Sequence, residues 1–324
     1  MGWRVPLVAL ALAACRAQAG VASFEPAPAA SEGGAATEGS AGPRETPPAS
    51  SGAPDGVEVS TSCAAEPVAL EEIHSGRVRS GRALSVPGLV ASSQKFLVSE
   101  AKSGSCLWGA FAAAPNETGG GSGLLLVSFG PPHADGEACT AGADGLPDDL
   151  QPGDTLEVAG TLDAYVPAAC DGVAASPQLR IEAGCAARRV ARGVAPEPAK
   201  LPPSLAARLA AGKDEALLRD WSGALVELDE QPALQDTDDG DAVFPFGVVR
   251  LQQTPLEVHS KLYYFDLSEG GPRAAVKAPH FSYPWRFQRI VGLVFLDYCS
   301  WVLAPRDRCS DLSPASEDCP RLGG

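Results

Sequence analysis

From about position 68 onward, short apolar runs alternate with turn residues and recur every ten to twenty positions. The run RALSVPGLVAS (82–92) keeps a period of two, the spacing that buries one face of a strand, and its Pro-Gly pair predicts a bulge or bend. KFLVSEA (95–101), CLWGAFAA (106–113), GLLLVSF (123–129), DTLEVAGTLDAY (154–165) and QLRIEA (178–183) follow, separated by Ser, Gly and Pro turns. None of these has a helical period. After residue 192 the chain turns to Pro and Ala, and SLAARLAAG (204–212) predicts a short helix, with Ser in front, leucines four apart and Gly behind. WSGALVELDE (221–230), FPFGVVRLQQ (244–253), KLYYFDL (261–267), RIVGLVFLDY (289–298) and SWVLAPR (300–306) then predict about five more strands.

The second set echoes the first. LEVAGTLDAY (156–165) and RIVGLVFLDY (289–298) both run an apolar stretch into Gly and end with Asp and Tyr close together. Five or six antiparallel strands per unit suit a small closed barrel of the OB type. The predicted fold class is all-β, two tandem small OB-like barrels after a disordered N-terminal tether. The boundaries expected are a signal peptide at 1–14, a lipidated Cys and linker at 15–62, a first barrel at 63–192, a connector with a helix at 193–215, a second barrel at 216–312 and a tail at 313–324. Asp163, Tyr165, Asp297 and Tyr298, at matching strand ends, are expected to maintain the fold.

Four stretches carry a resemblance. SGRALSVPGLVASSQKFLVSEAKSGSCLWGAFA, LPDDLQPGDTLEVAGTLDAY, LRDWSGALVELDE and IVGLVFLDYCSWVLAPRDRCSDL occur in the order found in a family of tandem OB-like repeats. These repeats stand N-terminal to bacterial extracellular nucleases and occur in many surface lipoproteins. The similarity covers roughly residues 70–312. The chain departs from the nucleases in having no room for their catalytic domain after residue 312, and its cysteines look like an addition used as staples.

The N-terminus changes the picture. MGWRVPLVALALAAC has one positive charge, Arg4, then an apolar run from 5 to 14, too short for a permanent membrane helix and suited to a secretory signal peptide. Leu12-Ala13-Ala14-Cys15 resembles the lipobox of bacterial lipoproteins. That resemblance implies a diacylglycerol thioether on Cys15 and a membrane partner through the anchor. Aspartate in the second mature position resembles the inner-membrane retention signal; Arg16 stands there, so the outer membrane is implied. Residues 16 to about 60 are mostly Ala, Gly, Pro, Ser and Glu, which bury too little surface to offset chain entropy. A flexible chain of about 45 residues reaches roughly 35–40 Å.

The net charge of −15 opposes binding a polyanion by bulk attraction. Without Cys15, eight of the nine cysteines remain: Cys63, Cys106, Cys139, Cys170, Cys185, Cys299, Cys309 and Cys319. An even number in an exported chain predicts disulfides, and there is no Cys-x-x-Cys pair to suggest zinc. Neighbouring strands suggest the pairs Cys170–Cys185 and Cys299–Cys309.

The sequence offers little catalytic chemistry. It has no nucleophile elbow, no His-Glu-x-x-His, no P-loop and no cofactor motif. GGGSG (119–123) reads as a flexible hairpin loop. DTDDGD (236–241) brings carboxylates around a Gly; Asp236, Asp238 and Asp241 are calcium candidates, out of EF-hand register. HFSYPWRFQR (280–289) is the densest aromatic and basic segment. Tyr283, Trp285, Arg286 and Arg289 are therefore the candidate ligand face, although period-two aromatics also fill barrel cores. The leading expectation is a lipid-anchored, non-catalytic binding or scaffold module for an unknown protein or polymer. A single-strand nucleic-acid-binding accessory and an enzyme with an unrecognised site are the alternatives.

Overall fold

Strands form in the first half where the alternation predicts them. The computed structural model describes residues 63, 65–100, 105–132, 139, 142, 144–166, 170, 172–182, 185–232, 243–244, 248–264, 285–297, 299–314 and 319. The signal peptide, Cys15, the linker, Tyr283 and the acidic loop at 236–241 lie outside them. The first unit comprises β1 (Glu66–Pro67), α1 (Leu70–His74), β2 (Ala83–Ala91), β3 (Phe96–Glu100), β4 (Ser105–Ala113), β5 (Gly123–Pro132), β6 (Asp154–Tyr165), β7 (Ser176–Ile181) and β8 (Arg188–Arg192). The ring β2-β4-β5-β7-β6 closes on itself because β6 returns to pair with β2. All contacts in the ring are antiparallel except β5 with β7. That is the OB connectivity. The register of β2 shifts between Val86 and Leu89, at the Pro-Gly pair. Leu84, Val86, Trp108, Leu124, Leu126, Leu156, Val158 and Leu179 are buried together in one core.

The second unit repeats the order. It comprises β9 (Ala199–Lys200), α2 (Pro203–Ala210), α3 (Glu215–Trp221), β10 (Leu225–Pro232), β11 (Val243–Phe244), β12 (Val248–Val249), β13 (Glu257–His259), α4 (Lys261–Tyr264), β14 (Arg286–Asp297), β15 (Ser300–Ala304) and β16 (Leu312–Ser313). Its strands run β12-β13-β15-β14-β10, with β13 and β15 parallel. A hydrogen bond from Gln252 N–H to the Pro232 carbonyl (2.8 Å) bridges the end of β10 to the segment after β12. The echo noted in the sequence is this repeat: β6 and β14, twelve residues each, occupy the same place. In both, a Gly lies where strand four crosses strand five. A Cβ on Gly160 would sit 2.3 Å from the Arg180 carbonyl oxygen, and one on Gly292 2.9 Å from Ala304. The short parallel strand and helix that open the first unit also recur, as β9 and α2.

Two expectations are corrected. KLYY is a helical turn, α4, and the strand before it is β13. Leu262 uses that turn to reach full burial. The disulfides are Cys63–Cys185, Cys106–Cys139, Cys170–Cys299 and Cys309–Cys319. The pair Cys170–Cys185 fails because the six residues of β7 lie between them. At about 3.3 Å per residue they separate its ends by roughly 20 Å, against the roughly 5.5 Å a disulfide allows. Cys299 and Cys309 are likewise divided by β15 and bond to Cys170 and Cys319 instead.

The two units share a seam. Phe96, Phe111, Leu125 and Val127 of the first pack with Leu225, Val291, Leu293, Phe295, Val302 and Ala304 of the second. Phe96 and Phe111 stack at 5.8 Å, and the Phe295 ring meets them edge-on at 6.3 and 5.5 Å. Cys170–Cys299 crosses the seam covalently. His74 spans it too, its ring nitrogens each 2.7 Å from a carbonyl oxygen, of Arg219 in α3 and of Gly123.

The Gly-rich loop is a docking element of this seam. Gly121 N–H donates to the Asp220 carbonyl at 2.6 Å. A Cβ on Gly123 would fall 2.0 Å from the carbonyl oxygen of Gly223, whose own φ is +76°. Backbone meets backbone there, with nothing flexible to move aside. Gly123→Ala is therefore expected to cost about 2–3 kcal/mol in chemical denaturation, the upper range for overpacking. A change below 0.5 kcal/mol, on the order of surface substitutions, would show that the loop does not dock this way.

Candidate functional site

OB barrels bind ligands on the outer face of their second and third strands, with the flanking loops. In the first barrel those strands are β4 and β5. Their outward side chains Phe111, Leu125 and Val127 lie beneath the second unit. The corresponding strands of the second unit, β12 and β13, put Val249 and Val258 into their own core. Val248, Glu257 and His259 lie on the opposite side, outside the shared apolar cluster; Val248 and Glu257 are half-buried and His259 is buried.

This face carries a polar cluster. His259 Nδ1–H donates to Asp297 Oδ2 at 3.0 Å, and both side chains are about nine-tenths buried. Arg250 Nε donates to Glu257 Oε1 at 2.7 Å. Glu257 Oε2 is 3.5 Å from His259 Nε2. Burial pulls the Lys261 ammonium below the usual lysine range, while the charge of Asp297 opposes that shift. Burial, and then the same carboxylate, push the Tyr165 hydroxyl above the usual tyrosine range. Asp297, expected only to maintain the fold, is the centre of this group; Asp163 pairs with Arg180 at 3.1 Å. The arrangement orients one imidazole. Among the described residues no hydroxyl or thiol lies within hydrogen-bond reach of its Nε2.

The residues singled out from sequence are placed elsewhere. Phe287 is fully buried in the second core, and Trp285 packs on that core edge-on to it, centroids 6.4 Å apart. Arg286 is exposed. Arg289 donates to Glu227 Oε2 at 2.8 Å, and Glu227 also accepts from Lys200. The arginines of the first unit are similarly matched: Arg188 with Glu157, and Arg189 and Arg192 with Asp149 and Asp154. Among the described residues no group of three His, Cys, Asp or Glu could by itself hold a metal ion.

Glu227 provides a pH test. Burial alone would raise its carboxyl, but hydrogen bonds from Lys200 and Arg289 hold it below the usual glutamate range. A folded value below the unfolded one stabilises above the unfolded value and fades as pH falls through the folded one. Glu227→Gln is expected to cost about 1 kcal/mol at neutral pH. The gap to wild type should shrink below about pH 4, the ordinary glutamate value. A gap constant across that range in denaturation curves would contradict the pairing.

A cleft of about 650 Å³ also opens beside the seam, lined by Glu71, His74, Glu117, Asp214, Arg219 and Asp220. Its charges have both signs, and Arg208 already occupies Asp214 at 2.6 Å. No protein-family model matches the chain, and no curated protein matches it.

Proposed function

We propose that the chain is a lipid-anchored protein of the bacterial outer membrane whose two fused barrels form a non-catalytic binding or scaffold module. The observation that carries this reading is the seam. It covers the ligand face of the first barrel and does not include the corresponding side chains of the second, Val248, Glu257 and His259, so the pair is read as one packed body whose binding face is on the second barrel. Cys15 in its lipobox-like context and the polar, small-residue stretch that follows it support the anchor and tether. Four disulfides suit an oxidising compartment. No helix among the described residues is long and apolar enough to cross a membrane. The single-strand nucleic-acid reading has less support. Stacking platforms need accessible aromatics and a cationic groove. Phe96 and Phe111 are buried, and the arginines of β7 and β8 are matched by carboxylates.

Two measurements test the reading. A fatty-acid probe should label the wild-type protein in growing cells and leave Cys15→Ser unlabelled; equal labelling removes the anchor. A photo-crosslinking residue at Val248, half-buried on that face, should give a discrete adduct in intact cells. The same residue at Val194, 89% exposed and remote from that face in sequence, should not. Identical patterns at the two positions would remove the assignment of the face.

A further inference from the structure

The polar cluster of the second unit contains an arrangement that a binding module does not need. His259 is 8% exposed. Its Nδ1–H is committed to Asp297, so in the neutral ring Nε2 presents a lone pair. Nε2 is buried and has no hydrogen-bond partner among the described residues. The charged atom facing it is Glu257 Oε2, at 3.5 Å. A lone pair and a carboxylate oxygen repel each other unless something positive lies between them. The geometry nevertheless holds them face to face from behind: Asp297 grips the far nitrogen of the imidazole, and Arg250 grips the far oxygen of Glu257. The two residues are i and i+2 on β13, on the same side of the strand.

We propose that His259 Nε2 and Glu257 Oε2 are the protein ligands of a divalent transition-metal ion of the zinc class, with water completing its shell. Imidazole nitrogen and carboxylate oxygen bind zinc at about 2.0–2.2 Å. Two such ligands at a tetrahedral angle stand about 3.4 Å apart, close to the 3.5 Å separation here. A carboxylate on the far nitrogen of a ligating histidine is the usual outer-shell partner, fixing the tautomer and the ring orientation. The mixed nitrogen and oxygen donors select zinc, copper or nickel over calcium and magnesium, which take oxygen alone. Glu257 is 27% exposed and gives the ion a path from solvent. With two protein ligands, the site is one from which an ion can exchange and on which a partner could add a third. The proposal goes beyond the binding-module reading and stands or falls without it.

Calorimetric titration of Zn²⁺ into the full chain, chelator-stripped with disulfides intact, tests this. Wild type should show a binding event weakened at least tenfold in Glu257→Gln and His259→Gln. Asp297→Asn should weaken it roughly 10- to 100-fold, as loss of an outer-shell partner does. Magnesium and calcium should not reproduce it. Glu257 is partly exposed, so its variant keeps the test usable if removing the buried imidazole unfolds the chain. The competing arrangement is an imidazolium clamped between the two carboxylates. Nitrogen-15 NMR separates them: zinc should move the Nε2 resonance of a ring protonated only at Nδ1. Zinc binding equal in wild type and Glu257→Gln, or a proton on Nε2 that zinc does not displace, would overturn the proposal.

Discussion

Replacing Phe295 by alanine is expected to cost about 3–5 kcal/mol of unfolding free energy, the range for emptying a buried aromatic site. The ring is 3% exposed and joins Phe96 and Phe111 across the seam. Its loss removes the contact through which one barrel supports the other. Chemical denaturation of the disulfide-intact protein should therefore show a second effect. The single transition of wild type should split, because two-state behaviour requires the units to unfold together. Phe287→Ala is the control: that ring is equally buried, but in the second core and outside the aromatic cluster of the seam. It should lower stability by a similar amount without separating the two units. A loss under 1 kcal/mol for Phe295→Ala would mean that the seam contributes little.

Lys95→Ala should be comparably damaging for an electrostatic reason. Lys95 lies between β2 and β3 and is 1% exposed. Its ammonium donates to Asp144 Oδ2 and Asp148 Oδ1, each at 2.5 Å, and to the Leu146 carbonyl at 3.2 Å. It also stands 5.2 Å from the centroid of the Trp108 ring. Asp144 is fully buried, so removing the lysine leaves a carboxylate with neither water nor countercharge. Breaking one side of a buried pair costs about 3–5 kcal/mol, whereas replacing both sides by uncharged groups can be close to neutral. Lys95→Met with Asp144→Asn should accordingly be more stable than Lys95→Met alone. If the two substitutions instead add, within about 0.5 kcal/mol, the pair is not coupled.

The strands were legible where one face was wet. RALSVPGLVAS and DTLEVAGTLDAY alternate, and both form strands at the expected positions. GLLLVSF and IVGLVFL do not alternate, and the seam is the reason. Leu124 and Leu126 face the first core while Leu125 and Val127 face the second unit. On β14, Ile290 and Val294 face inward while Val291, Leu293 and Phe295 face the seam. A continuous apolar run is the mark of a strand covered on both sides, so the seam was latent in those two stretches. α4 was misread because its apolar and aromatic residues suit a strand as well as a helical turn. The disulfide partners depend on which strand end lies next to which, and that follows from topology rather than spacing. The candidate site was the least legible. His259 and Asp297 are 38 residues apart and meet only because β13 and β14 belong to the same unit.

The disulfides also decide what a protease can do to this chain. Cys63–Cys185 and Cys170–Cys299 interlock, since each bond encloses a cysteine of the other. Any single backbone cut between residues 63 and 299 therefore leaves both pieces in one covalent molecule. Residues 233–242 and 265–284 fall within that interval, so a nick at either place does not release a fragment. A tethered protein outside the cytoplasm would keep both barrels attached to its anchor after such damage. A cut before Cys63, by contrast, would free the whole body at once.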